Sequence, residues 1–160
     1  MDVKQLKVPA TYMRGGTSKG VFFQLADLPA AAQVPGAARD ALLMRVIGSP
    51  DPYGKHTDGM GGATSSTSKC VIISRSGQPG HDVDYLYGQV SIDQPFVDWS
   101  GNCGNLSSAV GPFAIAHGLI DADRGRPSRG ASRVGASVSA SGCTRSAKCC
   151  SWRRPATGLW

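Results

Sequence analysis

One thiol in this chain stands where a nucleophile or proton carrier could be built. Cys103 lies in the run Trp99-Ser100-Gly101-Asn102-Cys103-Gly104-Asn105-Leu106, between small and amide-bearing residues. Leu106, Val110, Phe113, Ala114 and Ile115 follow at roughly helical spacing, and Gly118 closes the pattern. The thiol is therefore predicted at the start of a helix. There it would sit beside unpaired N–H groups and the positive end of the macrodipole, both of which favour thiolate over thiol. The flanking glycines would let a ligand approach N–H groups able to hold a carboxylate. The same residues also fit a small buried cysteine packing a helix start.

Two further polar loops carry complementary chemistry. Arg14-Gly15-Gly16-Thr17-Ser18-Lys19 offers a guanidinium, two hydroxyls and flexible backbone N–H groups. Thr64-Ser65-Ser66-Thr67-Ser68-Lys69 offers hydroxyls and an amine at the head of an apolar run. Together they suit a ligand with several carboxylates, because Arg grips carboxylate in a fork and N–H groups bind it without bulk. Lys69, if desolvated beside that strand, would lose its proton readily and serve as a base. The other reading of Lys69 is a solvated strand end.

The elements that must position these groups are mixed α and β. Residues 8–13 read as a strand, 14–20 as a Gly-rich turn and 21–23 as a second strand, hence a hairpin. Pro35, then Leu42, Leu43, Val46 and Ile47, then Gly48 and Pro50, outline a helix from about 37 to 47. A long Gly-rich stretch covers 49–68, and 69–73 returns as a short apolar strand. Over 82–92, Val83, Tyr85 and Tyr87 alternate with Asp82, Asp84 and Leu86, the pattern of a half-buried strand. Pro112 falls inside the last helical pattern, so that helix should be kinked or begin late.

Charge divides the chain in two. Residues 1–120 hold nine Lys/Arg and nine Asp, whereas 121–160 hold seven Arg and one Lys against Asp121 and Asp123. The net charge of +6 thus belongs to the last forty residues, and glutamate is absent throughout. The length suits one domain over 1–120 with a modest core. No apolar run reaches 18 residues and the start is polar, which predicts neither a membrane span nor a signal peptide. Cys70 and Cys103 lack CxxC partners and read as free thiols of a cytoplasmic protein, with no metal site.

The tail from 121 is dense in Arg, Ser, Ala and Gly, with no Ile, Phe or Tyr and no periodicity. Disorder is expected there, because so little apolar surface cannot offset the entropy of ordering. Its Cys143, Cys149 and Cys150 lack metal-ligand spacing. A basic nucleic-acid-binding arm is one reading. However, Trp152 and Trp160 stand at the far end and are not interleaved with the arginines as a stacking platform requires. The preferred reading is an out-of-frame translation, since a GC-rich gene in the wrong frame yields this vocabulary.

Two phosphate-loop-like segments fail on spacing. In 48–56 the glycines are too far apart and His56 stands where Ser or Thr should bind magnesium; 59–64 ends in Thr with no preceding strand. His56, His81 and His117 have no ligand partners at metal spacing and are expected in structural or surface roles.

Four blocks then carry a resemblance: MRGGTSKG (13–20), GSPDPYGKHTDGMGGATSSTSKCVIIS (48–74), DVDYLYGQVSID (82–93) and DWSGNCGNLSSAVGPFAI (98–115). Over most of residues 5–122 the chain resembles the PrpF family of 2-methylaconitate cis-trans isomerases. The resemblance implies an α+β lobe of the diaminopimelate-epimerase-like fold, a curved mixed β-sheet wrapped around a central helix, with the active site between two such lobes. It implies Lys69 and Cys103 as catalytic residues. Arg14, Thr17, Ser18, Thr64, Ser65, Ser66, Asn102, Gly104 and Asn105 would hold a small tricarboxylate, with no metal or organic cofactor. The implied reaction removes a proton next to a carboxylate and returns it after rotation, in propionate breakdown by the methylcitrate cycle. A 4-oxalomesaconate-type tautomerase is the alternative on the same scaffold. A second lobe is expected after residue 120, where the tail stands, so a truncated and inactive lobe is expected, unless two copies complete each other as a homo-oligomer.

Overall fold

Residues 18–24, 69–75 and 83–90 are buried along most of their length, as befits strands at the centre of a sheet covered on two sides. The computed structural model describes residues 5–79, 81–121, 138–139 and 149–152. In it β1 (Thr11–Gly15), β2 (Ser18–Gln24), β3 (Lys69–Arg75) and β4 (Val83–Val90) lie side by side in that order. β2 and β3 are parallel, while β1–β2 and β3–β4 are antiparallel, so the sheet is mixed. β5 (Val97–Asp98) pairs with Gln89 and Val90 of β4. Two short segments of the tail are also strands: β6 (Val138–Ser139) pairs with β7 (Cys149–Trp152), and β7 with residues 83–86 of β4. The rest of the tail, and with it the expectation of disorder, lies outside the described residues.

Alternation along the strands builds two cores. Val21, Phe23, Cys70 and Ile72 pack with Leu43 and Ile47 of α2 (Ala37–Ile47), together with Ala32 of α1 (Ala30–Gln33). Phe22, Val71, Ile73, Val83, Tyr85 and Tyr87 turn the other way, against Leu106 of α3 (Gly104–Ser107) and Val110 and Phe113 of α4 (Val110–Ala116). The α+β class expected from the sequence is therefore the class observed.

Three local rules explain the elements that carry the site. The hairpin turn is two residues long, Gly16 and Thr17, with Gly15 paired to Ser18 and Gly16 at φ +52°. A two-residue turn of this kind needs glycine at its first central position, and the strands accordingly reach closer together than the 14–20 turn expected. α2 ends at Gly48 in the left-handed region, φ +88°, with its N–H on the Met44 carbonyl. The stretch 49–68 then folds back on that helix end, where Met60 and Gly61 donate N–H groups to the Val46 and Ile47 carbonyls at 2.8 and 3.0 Å. A Cβ at Gly59 would lie 2.2 Å from the Gly48 nitrogen, so its lack of a side chain serves packing.

The helical pattern of 104–116 is split, as Pro112 requires. A continuous helix would set its ring against the Ser108 carbonyl and leave that carbonyl without a donor. Instead α3 closes after one turn at Ser107, and α4 restarts from Ala109 with Pro112 in its first turn.

Candidate active site

Cys103 immediately precedes α3 and is 8% exposed. The loop before it crosses from one face of the sheet to the other. At its start, Trp99 donates Nε1–H to Asp40 of α2 at 2.9 Å, and the Arg39 guanidinium lies 5.9 Å from the indole ring centre. At its end the Tyr85 hydroxyl donates to the Cys103 carbonyl at 3.2 Å, and Cys103 Sγ contacts Ser18 Oγ at 3.8 Å. The long helix dipole expected behind the thiol is not there: α3 has four residues, because Pro112 splits the pattern. What remains at the helix start are the N–H groups of Gly104, Asn105 and Leu106, which have no partner within the helix. The space that a Cβ on Gly104 would occupy is open.

The hairpin turn is clasped to this helix start. Asn105 Nδ2–H reaches Thr17 Oγ1 at 3.0 Å and Ser18 Oγ at 3.4 Å. A Cβ at Gly15 would lie 2.3 Å from the Asn105 carbonyl oxygen, and one at Gly16 2.5 Å from its Oδ1. These two glycines are what let the turn and α3 touch.

Lys69 opens β3 and is also 8% exposed. Counting in twos along the strand, it shares a face with Val71 and Ile73, the face that packs on α3 and α4. Its Nζ donates to the Tyr87 hydroxyl and to Gln89 Oε1, both at 2.7 Å. Tyr87 donates in turn to Gln89 Oε1 at 2.6 Å, and Gln89 Nε2–H is held by the Ser68 carbonyl at 2.9 Å. Burial first, and then the nearby Cys103, push the Tyr87 phenol well above its ordinary range. Gly20 marks the meeting of Lys69 with α3: its Cβ would lie 2.9 Å from Leu106 Cδ1 and 3.1 Å from the Lys69 carbonyl. Cys70 points to the opposite core, where burial alone pushes its thiol far up.

The structure brings together Lys69, Cys103, Ser18, Thr17, Gly104 and Asn105. Asn102 is exposed just before the thiol. Thr64, Ser65 and Ser66 are exposed in the turn leading to Lys69; Thr64 Oγ1 is 2.8 Å from Thr67 Oγ1, and the Ser66 carbonyl takes the Lys19 N–H at 2.9 Å. Arg14 stands apart. It pairs with Lys19, one residue out of phase with Ser18, and its Nε–H turns to the Gly16 carbonyl at 3.0 Å. Tyr87 and Gln89 were not singled out from the sequence, although the alternation over 82–92 already put Tyr87 on the buried face. Of the histidines, His56 is 2% exposed and props the 49–68 stretch, its Nδ1 3.4 Å from Ser68 Oγ. His117 stacks on Phe113 at 4.0 Å. Among the described residues, no three His, Cys, Asp or Glu side chains gather as a metal site, and no helix is long and apolar enough to cross a membrane.

Known proteins are similar to this chain in sequence and fold. The family described as PrpF protein matches residues 5–134. A 2-methyl-aconitate isomerase from Cupriavidus necator is 80% identical over 122 residues, 76% of this chain and 31% of that protein. A (4E)-oxalomesaconate Delta-isomerase from Novosphingobium sp. is 55% identical over 114 residues, 71% of this chain and 30% of that protein. The crystal structure of methylitaconate-delta-isomerase superposes with a TM-score of 0.66 at 46% identity, covering 73% of this chain and 29% of that one. The chain spans about 31% of the length of the first of these relatives. With the family matching residues 5–134, well over half of its length, this chain belongs to the PrpF family.

Proposed function

We propose that residues 1–120 form one wall of an isomerase site for 2-methylaconitate, an unsaturated tricarboxylate, and that the reaction needs no metal or organic cofactor. One of Lys69 and Cys103 takes a proton from a carbon next to a carboxylate. The C–H electron pair delocalises into a dienolate, the former double bond rotates, and a proton put back on the same carbon, returned or steered by the other group, fixes the other geometry. The N–H groups of Gly104 and Asn105 and the exposed Ser65 and Ser66 hydroxyls hold carboxylates and the developing charge. Thr17 and Ser18 act on the protein side, by fixing Asn105 and the thiol. Arg14 is left out of this set because its strand position turns it away.

The observation that carries the reading is the placement of Lys69 and Cys103 on one face of the sheet, joined across Gly20 and Leu106. Identity of 80% to a 2-methyl-aconitate isomerase, against 55% to an oxalomesaconate isomerase, favours the first substrate. The test is proton NMR of the full chain with 2-methylaconitate in deuterated water. With two copies completing the site, the wild type should interconvert the isomers and introduce deuterium next to a carboxylate; inactivity, the expectation for a lone lobe, is the opposing result. Lys69→Ala and Cys103→Ala should each lose about 10²–10⁴ in rate, the usual worth of general acid–base help. Full turnover in either variant removes that residue from the mechanism, and no deuterium incorporation by wild type overturns the reading.

A further inference from the structure

A buried amine must be hydrogen-bonded, and the way Lys69 is bonded says more than that it is satisfied. Both of its partners, the Tyr87 hydroxyl oxygen and Gln89 Oε1, act as acceptors. An ammonium carries three N–H groups; a neutral amine carries two and a lone pair. Two acceptors occupy two N–H groups in either state. One position on Nζ is therefore left over, a third N–H in the charged form and a lone pair in the neutral form. The same side-chain geometry serves proton uptake and proton delivery without rearrangement.

The partners are themselves fixed. Gln89 Nε2–H on the Ser68 carbonyl sets which end of the amide faces the lysine, and antiparallel register places Gln89 directly opposite Lys69. Tyr87, two residues back on the same face, donates its own proton to Gln89 Oε1 and so keeps an oxygen lone pair for Nζ. Both partners are neutral. A carboxylate at either place would hold the proton on the amine by charge alone. The titratable groups around Tyr87 are Cys103 before α3, Asp98 of β5 and Cys70 of β3.

We propose that Tyr87 and Gln89 are positioning residues that hold Lys69 by two hydrogen bonds and leave one Nζ position for proton exchange with the substrate carbon. This deepens the isomerase reading and rests on it. The experiment uses the full chain with isotope-labelled lysine, so that the Lys69 titration is read by NMR independently of turnover, alongside the pH profile of kcat/KM.

Tyr87→Phe removes one acceptor and should lower kcat about tenfold with little change in KM. It should also displace the Lys69 titration and the matching limb of the pH profile together. Gln89→Glu keeps the shape but adds charge, and should move the Lys69 titration to higher pH. Folded variants that change neither the titration nor the ratio of kcat to KM would overturn the proposal and leave the pair a structural role. A wild type without turnover whose Lys69 titration still moves in both variants would instead sink the isomerase reading while the hydrogen-bonded triangle stands.

Discussion

Lys69 and Cys103 gain their meaning from small residues around them. Gly15, Gly16 and Gly20 let the hairpin, α3 and β3 approach more closely than any side chain would permit. Gly15 is the sharpest case, because the atoms a Cβ would meet are the Asn105 carbonyl oxygen and Leu106 Cα, backbone that cannot rotate aside. Gly15→Ala should therefore destabilise the lobe by about 1–3 kcal/mol, the usual range for overpacking. Gly77→Ala, with nothing within 4 Å of its Cβ position, should stay within about 0.5 kcal/mol. Urea unfolding of the two variants measures the difference. A neutral Gly15→Ala would mean that β1 does not rest on α3, and the site geometry would fall with it. The sequence pointed to Lys69 and Cys103 because unusual residue types stand at the head of apolar elements. It did not point to Gln89, whose partnership with Lys69 depends on the register of β3 against β4, a long-range choice that no local pattern encodes.

Elements whose boundaries are punctuated locally were legible. The helix expected over 37–47 is α2 as observed, because Pro35 and Gly48 bracket it. Parity in the hairpin was not legible. Two turn residues, where seven were expected, put Arg14 opposite Lys19 and out of phase with Ser18, which is why a plausible carboxylate fork faces away from the thiol. The loop after α2 is held by chemistry that also responds to pH. The Asp51 carboxylate accepts the N–H groups of Lys55, Tyr53 and His56 at 2.9, 2.9 and 2.7 Å. These bonds, led by that of Lys55, hold its pKa below the usual value. A carboxylate lowered in the folded state stabilises fully above its unfolded pKa of about 4. That contribution is lost as pH falls through the lower folded value. Amide protection at Tyr53, Lys55 and His56, corrected for intrinsic exchange, should drop below about pH 4, and Asp51→Asn should reproduce the drop at neutral pH. Protection that stays level through both changes would contradict this account of the loop.

At the scale of the whole molecule, charge and composition predict a split near residue 120. The patterned residues to about 120 form a two-faced lobe, while the Arg-rich remainder contributes, among its described residues, only β6 and β7 at the edge of β4. The family match continues to residue 134. The matched residues make up 31% and 30% of two of the relatives. One face of the lobe, as proposed above, joins the thiol, the lysine and the α3 N–H groups into a carboxylate-binding wall. An amide NMR titration of the full chain with trans-aconitate, a tricarboxylate of the right class, tests it most directly. Saturable shifts are expected at Ser65, Ser66, Gly104 and Asn105 with a concerted response of the Lys69 amine, while Cys70 and the α2 face stay unmoved. Shifts spread over the Arg-rich tail and absent from these residues would contradict it.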